Sequence, residues 1–156
     1  MIKIITGDRD SGKTSYLKYL VEDSKFFNGF LESKKFDKDG KFVGYNLIDI
    51  ETGESFEFIT TDMTREGRKL DKFVIIEEGI RKGKEIILKG IDKNKILVVD
   101  EVGQLEIEGK LFHDEIVKAI KSEIEMYVTV RKELTNEFIK KYDLDSREYT
   151  FIRMGE

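Results

Sequence analysis

At 156 residues the chain is long enough for one domain with a proper core and too short for two ordinary ones. Its 32 acidic and 28 basic residues nearly cancel, to a formal charge of -4, which argues against general attraction to DNA, RNA or anionic lipid. The absence of cysteine excludes disulfides, a thiol nucleophile and thiolate metal sites, and a single histidine excludes a multi-histidine metal centre.

Apolar residues make up 39% of the chain, with 11 Phe and 6 Tyr to fill an interior, a composition unlike that of disordered chains. No apolar run approaches membrane-spanning length, and the N-terminus reads as a strand rather than a signal sequence. The expectation is a soluble, cytoplasmic monomer with no membrane partner. Charged residues reach 38%, mostly Lys and Glu, a thermophile-like bias that the complete lack of proline does not share.

In chain order, Ile2–Thr6 reads as a buried strand and 13–23 as a helix with Tyr16, Leu17, Leu20 and Val21 on its apolar side. Asn28-Gly29 reads as a turn. Gly29–Phe36, Phe42–Ile50 and Ser55–Thr60 are strand-like and separated by Lys38-Asp39-Gly40 and by 51–54, so they form hairpins rather than a βαβ unit. Thr61–Lys72 reads as a loop, Phe73–Ile76 as a strand and Glu77–Ile91 as a helix. Ile96–Gly103 is the most buried-looking strand, followed by an amphipathic helix over Gly109–Ser122, a strand over Ile124–Val130, a helix over Lys132–Tyr142 and a last strand over Glu148–Met154. Strands alternating with helices after residue 73 imply right-handed crossovers and a parallel sheet covered on both faces. The expected fold is α/β: a three-layer single domain over 1–156, its mostly parallel sheet flanked by helices, with a β-hairpin insertion near residues 35–60.

The first strand runs directly into Gly7-Asp8-Arg9-Asp10-Ser11-Gly12-Lys13-Thr14, the glycine spacing of a phosphate-binding P-loop. A triphosphate packs several negative charges into a small volume. Backbone N–H groups wrapped around it, ending at a helix N-terminus, neutralise that charge without a dedicated side chain for each oxygen. Residues 7–14 are therefore the expected phosphate cradle, with Lys13 on the β/γ oxygens and the Thr14 hydroxyl as a magnesium ligand. Asp8 and Asp10 would repel a triphosphate unless they face solvent or pair with Arg9.

Holding phosphate is not hydrolysing it. Ile96-Leu-Val-Val-Asp100-Glu101 places two carboxylates at the C-terminal end of a hydrophobic strand, the edge where open α/β sheets bind ligands. Asp100 fits the second magnesium-holding role, directly or through water, and Glu101 the alignment of the attacking water.

These segments resemble those of the small P-loop nucleoside-triphosphatases of thermophiles, related to the cancer-related nucleoside-triphosphatases of animals. The resemblance rests on Gly7–Thr14, on Gly44-Tyr-Asn-Leu-Ile-Asp-Ile-Glu-Thr-Gly53 and on Val99-Asp-Glu-Val-Gly-Gln-Leu-Glu106. It implies a P-loop fold and magnesium-dependent hydrolysis of several nucleoside triphosphates, carried by Lys13, Thr14, Asp100 and Glu101. The chain departs from that pattern in Asp8, Arg9 and Asp10, in 64–69, and in Arg131, which stands near where the family often has histidine.

An arginine near the γ-phosphate would complete such a site; Arg65, Arg68 and Arg131 are the candidates, each also readable as a solvated surface residue. His113 reads as structural, and Glu106 as either a support for the site or an exposed carboxylate. Asn94-Lys95-Ile-Leu97 fails the guanine-reading pattern of signalling GTPases, so loose nucleobase preference is expected. Arg81–Lys95, with Glu85 and Asp92 interspersed, reads as a solvated helix face rather than a nucleic-acid contact. Competing functions are a small-molecule or nucleotide kinase with residues 61–72 as an acceptor lid, and a slow nucleotide-dependent switch or partner-binding module whose β-hairpin insertion would contact a protein partner.

Overall fold

The computed structural model describes residues 1–22 and 24–155. Its strands are β1 (Ile2–Gly7), β2 (Phe27–Phe36), β3 (Phe42–Asp49), β4 (Ser55–Thr60), β5 (Arg68–Leu70), β6 (Phe73–Ile75), β7 (Ile96–Val99), β8 (Glu125–Arg131) and β9 (Tyr149–Arg153). Its helices are α1 (Lys13–Leu20), α2 (Glu77–Lys89), α3 (Gln104–Ile107), α4 (His113–Lys121) and α5 (Thr135–Lys141). The strands join one sheet in the order β5-β6-β4-β3-β2-β7-β8-β1-β9.

Alternation along the central strands builds the layers, because successive side chains leave a strand on opposite faces. Ile4, Phe30, Leu97 and Val99 enter the larger core, beneath Ile80, Ile86 and Ile87 of α2, Ile116 of α4 and Phe138 of α5. Ile5, Leu31 and Val98, each adjacent in sequence, face the other way and meet Leu17 of α1. Helices thus cover both faces, as expected of a three-layer α/β fold.

The pairings from β2 through β7, β8 and β1 to β9 are all parallel, and those of β3, β4, β5 and β6 are antiparallel. The sheet is parallel in its core and mixed as a whole. The expected β-hairpin is present, but as an antiparallel wing continuous with the core through the ten-residue strand β2. β6 belongs to that wing and not to the parallel array.

Several local expectations are corrected, among them the strand expected over 96–103, which ends at Val99. Asn28-Gly29 is not a turn. Both residues lie within β2, opposite Leu97 and Val98 of β7, and Gly29 uses its left-handed φ of 105° to approach the β7 backbone. Residues 61–72 are not wholly a loop, because 68–70 form the short edge strand β5. The helix expected over 109–122 starts four residues later, at His113, preceded by the separate turn α3 and by left-handed backbone at Gly109 and Leu111. The helix expected over 13–23 ends at Leu20, and its last position, Asp23, lies outside the described residues.

The topology has one consequence for function. β8 stands between β1, which runs into the glycine loop, and β7, which Asp100 follows. Gly7 pairs with Arg131, so the C-terminal ends of these strands deliver three segments of chemistry to one sheet edge.

Candidate active site

The glycine loop leaves β1 at Gly7 and enters α1 at Gly12, whose φ of 95° is left-handed backbone that a residue with a Cβ adopts only with strain. That turn aims the first N–H groups of α1 into the loop. Lys13 is buried, and its Nζ donates to the carbonyls of Gly7 at 3.1 Å and Asp8 at 2.8 Å. The ammonium group is held inside the loop's curve by these two carbonyls.

Asp100, 2% exposed, is the best-anchored group of the site. Its Oδ1 accepts the Thr129 hydroxyl at 2.8 Å, and its Oδ2 accepts the Thr14 hydroxyl at 3.0 Å and the Glu32 backbone N–H at 3.0 Å. Burial pushes its carboxyl up to about 6, and the three donors hold it from rising further. Residue 14 and residue 100 are thereby brought into contact across 86 positions of sequence.

Glu101 lies at the mouth, where its Oε1 accepts Nε–H of Arg131 at 3.1 Å. Arg131 is the one of the three candidate arginines that the fold brings here. Arg65 pairs with Glu57 of β4, and Arg68 of β5 with Glu77 of α2, and neither arginine lines the cleft. A cleft of about 390 Å³ joins Lys13, Thr14, Asp100, Glu101 and Arg131, and none of its lining residues comes from 61–72, the segment expected as an acceptor lid in the kinase reading.

Asp8, Arg9 and Asp10 are all exposed, but only Asp8 stands clear of the cleft, which Arg9 and Asp10 help to line. Asp10 pairs with Lys34 of β2 and not with Arg9, and that contact pulls its carboxyl below the usual range.

Glu32, Lys34, Phe36 and Tyr45 also line the cleft, and of these only Tyr45 falls within a segment that carries the resemblance. The available signal was the alternation of Glu32, Lys34 and Phe36 along one side of a strand, which says nothing of what that side faces. Glu32 is half-buried; burial, then Asp100 and Glu101, push its carboxyl well above the ordinary range. Thr129 was legible in a weaker sense, as the only polar residue between Val128 and Val130 in an apolar strand.

Glu106 is not exposed. It is 3% accessible, and its Oε1 accepts the Gly103 N–H at 2.8 Å, which fixes the chain just after Glu101. Burial pushes its carboxyl up to about 7 from the ordinary 4.5. The folded state therefore binds this proton more tightly than the unfolded state, so its contribution to stability is full below 4.5 and lost as pH rises through 7. Glu106 should make unfolding of the ligand-free protein easier by about 3 kcal/mol across that window; Asp100 and Glu32, also pushed up by burial, act in the same direction, so Glu106→Gln should reduce the slope without removing it. Thermal or urea unfolding between pH 4.5 and 7.5 measures it; an unchanged slope in the variant removes Glu106 as the cause. Ion-paired Glu57 and Glu78, pulled down, act below this window.

His113 packs on Tyr142, its Nδ1 3.0 Å from the Tyr142 hydroxyl, away from the cleft. Arg81 on α2 is engaged with Glu78 and Glu85.

A family model described as NTPase matches residues 3–152. The chain belongs to that family. It is 31% identical over 149 residues to the nucleoside-triphosphatase THEP1 of Thermoplasma volcanium, covering 90% of this chain and 81% of the relative. Its fold is similar to the crystal structure of THEP1 from the hyperthermophile Aquifex aeolicus, with a TM-score of 0.77 at 20% identity over 99% of this chain and 90% of that one. It is also similar to the solution structure of a human cancer-related nucleoside triphosphatase, with a TM-score of 0.70 at 13% identity over 96% and 86% of the two chains. The resemblance drawn from the glycine loop and the two downstream segments therefore holds, and this NTPase-family chain is an enzyme by membership. Among the described residues no helix is long and apolar enough to cross a membrane.

Proposed function

We propose that the protein hydrolyses nucleoside triphosphates to the diphosphate and phosphate, with magnesium held at Thr14 and Asp100. The observation that carries this reading is the 3.0 Å contact between the Thr14 hydroxyl and the buried Asp100 carboxylate, beside Lys13 in one cleft. Both offer hard oxygen donors, which suit magnesium. Because the Thr14 proton is given to Asp100, the lone pairs of Thr14 are free for a cation, while Asp100 acts through that hydroxyl or a water.

Bound magnesium would neutralise charge on the β and γ oxygens. Lys13 exchanges its two carbonyl partners for the same oxygens. Glu101 aligns a water with the γ-phosphorus; the new P–O bond forms as the bond to the β-bridging oxygen breaks, and the water's proton passes to Glu101 or to phosphate. Arg131 holds Glu101 in place and lies within the same cleft, where its positive charge meets the charge spreading over the γ oxygens.

Phosphate release from ATP, GTP, CTP and UTP, with magnesium and no acceptor, tests the proposal. Turnover of all four that stops on chelation is expected. Turnover that appears only when a hydroxyl compound is added makes the enzyme a kinase and overturns the hydrolase reading.

A further inference from the structure

The glycine loop borders two cavities. Arg9, Asp10 and residues 12–15 line the catalytic cleft, whereas Gly7, Asp8 and Ser11 line a second cavity of about 330 Å³ on the loop's other flank. Strand order separates them: the cleft opens toward β7 and β2, and the second cavity is walled by the end of β9 and by the turn and helix that follow β8. The N–H of Met154, just past β9, donates to the Thr6 carbonyl at 2.8 Å and fixes that end of the chain beside the loop. The Thr6 and Ser11 hydroxyls are buried with no hydrogen-bond partner among the described residues, and both residues line this cavity. Native proteins rarely leave buried hydroxyls unpaired, so this wall is suited to a polar partner from outside the chain.

The direction of the reaction relates this cavity to the phosphate site. In an in-line displacement the attacking water and the leaving oxygen lie on opposite sides of the γ-phosphorus. With Glu101 holding the water on the β7 side, the leaving diphosphate and all that it carries extend away from β7, toward β9. The second cavity lies on that side, and its volume falls within the range of small-molecule pockets. Its lining differs from that of a phosphate cradle. The Arg153 guanidinium lies over the Phe151 ring, 4.7 Å from the centroid, Asn136 of α5 adds an exposed amide, and Asp8 adds a carboxylate.

We infer that this cavity holds the nucleoside of the nucleoside triphosphate, the base stacked on the Arg153 guanidinium and met at its edge by Asn136, with Asp8 at the ribose hydroxyls. This rests on the hydrolytic site proposed above and adds the subsite for the rest of the substrate. A guanidinium plane stacks on any base, and an amide both donates and accepts, so neither group selects one base. Broad nucleobase use then follows from the cavity wall rather than from the lack of a reading motif. Asp8, a departure from the family pattern, binds ribose in the way acidic side chains do at dinucleotide sites.

ADP and inorganic pyrophosphate share two phosphates and differ by the nucleoside, and neither has a γ-phosphate to lose. In calorimetry on the full-length protein with magnesium, Arg153→Ala should bind ADP, GDP, CDP and UDP about tenfold more weakly than wild type and pyrophosphate within about twofold of it. Photolysis of bound 8-azido-ADP should label residues 132–136 or 151–155, the walls of the second cavity. An unchanged nucleotide-to-pyrophosphate ratio in the variant, or label on residues 32–45 of the cleft, overturns the nucleoside subsite while leaving the phosphate site intact. An equal loss of nucleotide and pyrophosphate also overturns it, since Arg153 then acts on phosphate. Failure of the wild-type protein to bind either ligand overturns the phosphate site and the subsite together.

Discussion

Glu101→Gln is expected to bind magnesium–nucleotide with affinity within about twofold of wild type and to lose turnover on the order of 10³-fold, within the range for removing a general base. Glutamine keeps the length of the side chain and an oxygen that can still accept Nε–H of Arg131, so the contact seen at 3.1 Å survives the change. What disappears is the negative charge that draws a proton from water and orients it toward phosphorus. Asp100, buried and held by three donors, is untouched, and the cation and phosphate sites should remain. Steady-state phosphate release and nucleotide titration on one preparation separate the two effects. Full turnover would move the water-orienting role to another carboxyl of the cleft, of which Glu32 is the candidate on β2. A parallel loss of binding would instead make Glu101 a part of the phosphate site.

The second large effect concerns folding. Gly29→Ala should destabilise the protein by roughly 3–5 kcal/mol or prevent accumulation of folded protein, the range seen when backbone strain and a hard clash coincide. A Cβ at this position would lie 1.9 Å from the Val98 carbonyl oxygen, which is backbone and cannot rotate aside. Gly40 has left-handed backbone too, φ 79°, yet a Cβ there meets nothing within 4 Å. Gly40→Ala should therefore cost only about 1 kcal/mol of conformational preference. Urea unfolding of the two variants isolates the close approach from the dihedral angle; equal costs would refute it. The position matters to the site as well. The β2–β7 pairing that Gly29 permits sets Glu32 N–H on Asp100, so loosening it should weaken magnesium-dependent binding before global unfolding.

The same glycine shows where local reading misled. Asn-Gly is the strongest short signal for a hairpin turn because both residues tolerate positive φ. Gly29 does adopt positive φ, but in order to let two strands approach, and nothing within a few residues distinguishes the two uses. Gly109 and Leu111 show a related limit: the apolar spacing of 109–122 is helical, yet two left-handed residues delay the helix to His113.

What the amino-acid sequence determined by itself was the chemistry of contiguous segments. Gly7–Thr14 and Asp100-Glu101 carry their meaning locally, because a phosphate loop needs particular backbone freedom within eight residues and a sheet-edge carboxylate needs only the apolar strand before it. The alternation of strands and helices was likewise local, and the three layers follow from it. Tertiary structure decided which residues share a cavity. Arg131 was separated from Arg65 and Arg68 by the placement of β8 between β1 and β7, a long-range pairing that no single segment encodes. Thr129 and Glu32 entered the site the same way, each from an ordinary strand position whose partner Asp100 lies tens of residues away. Side-chain periodicity tells which face of a strand a residue occupies; only the order of strands in the sheet tells what that face meets.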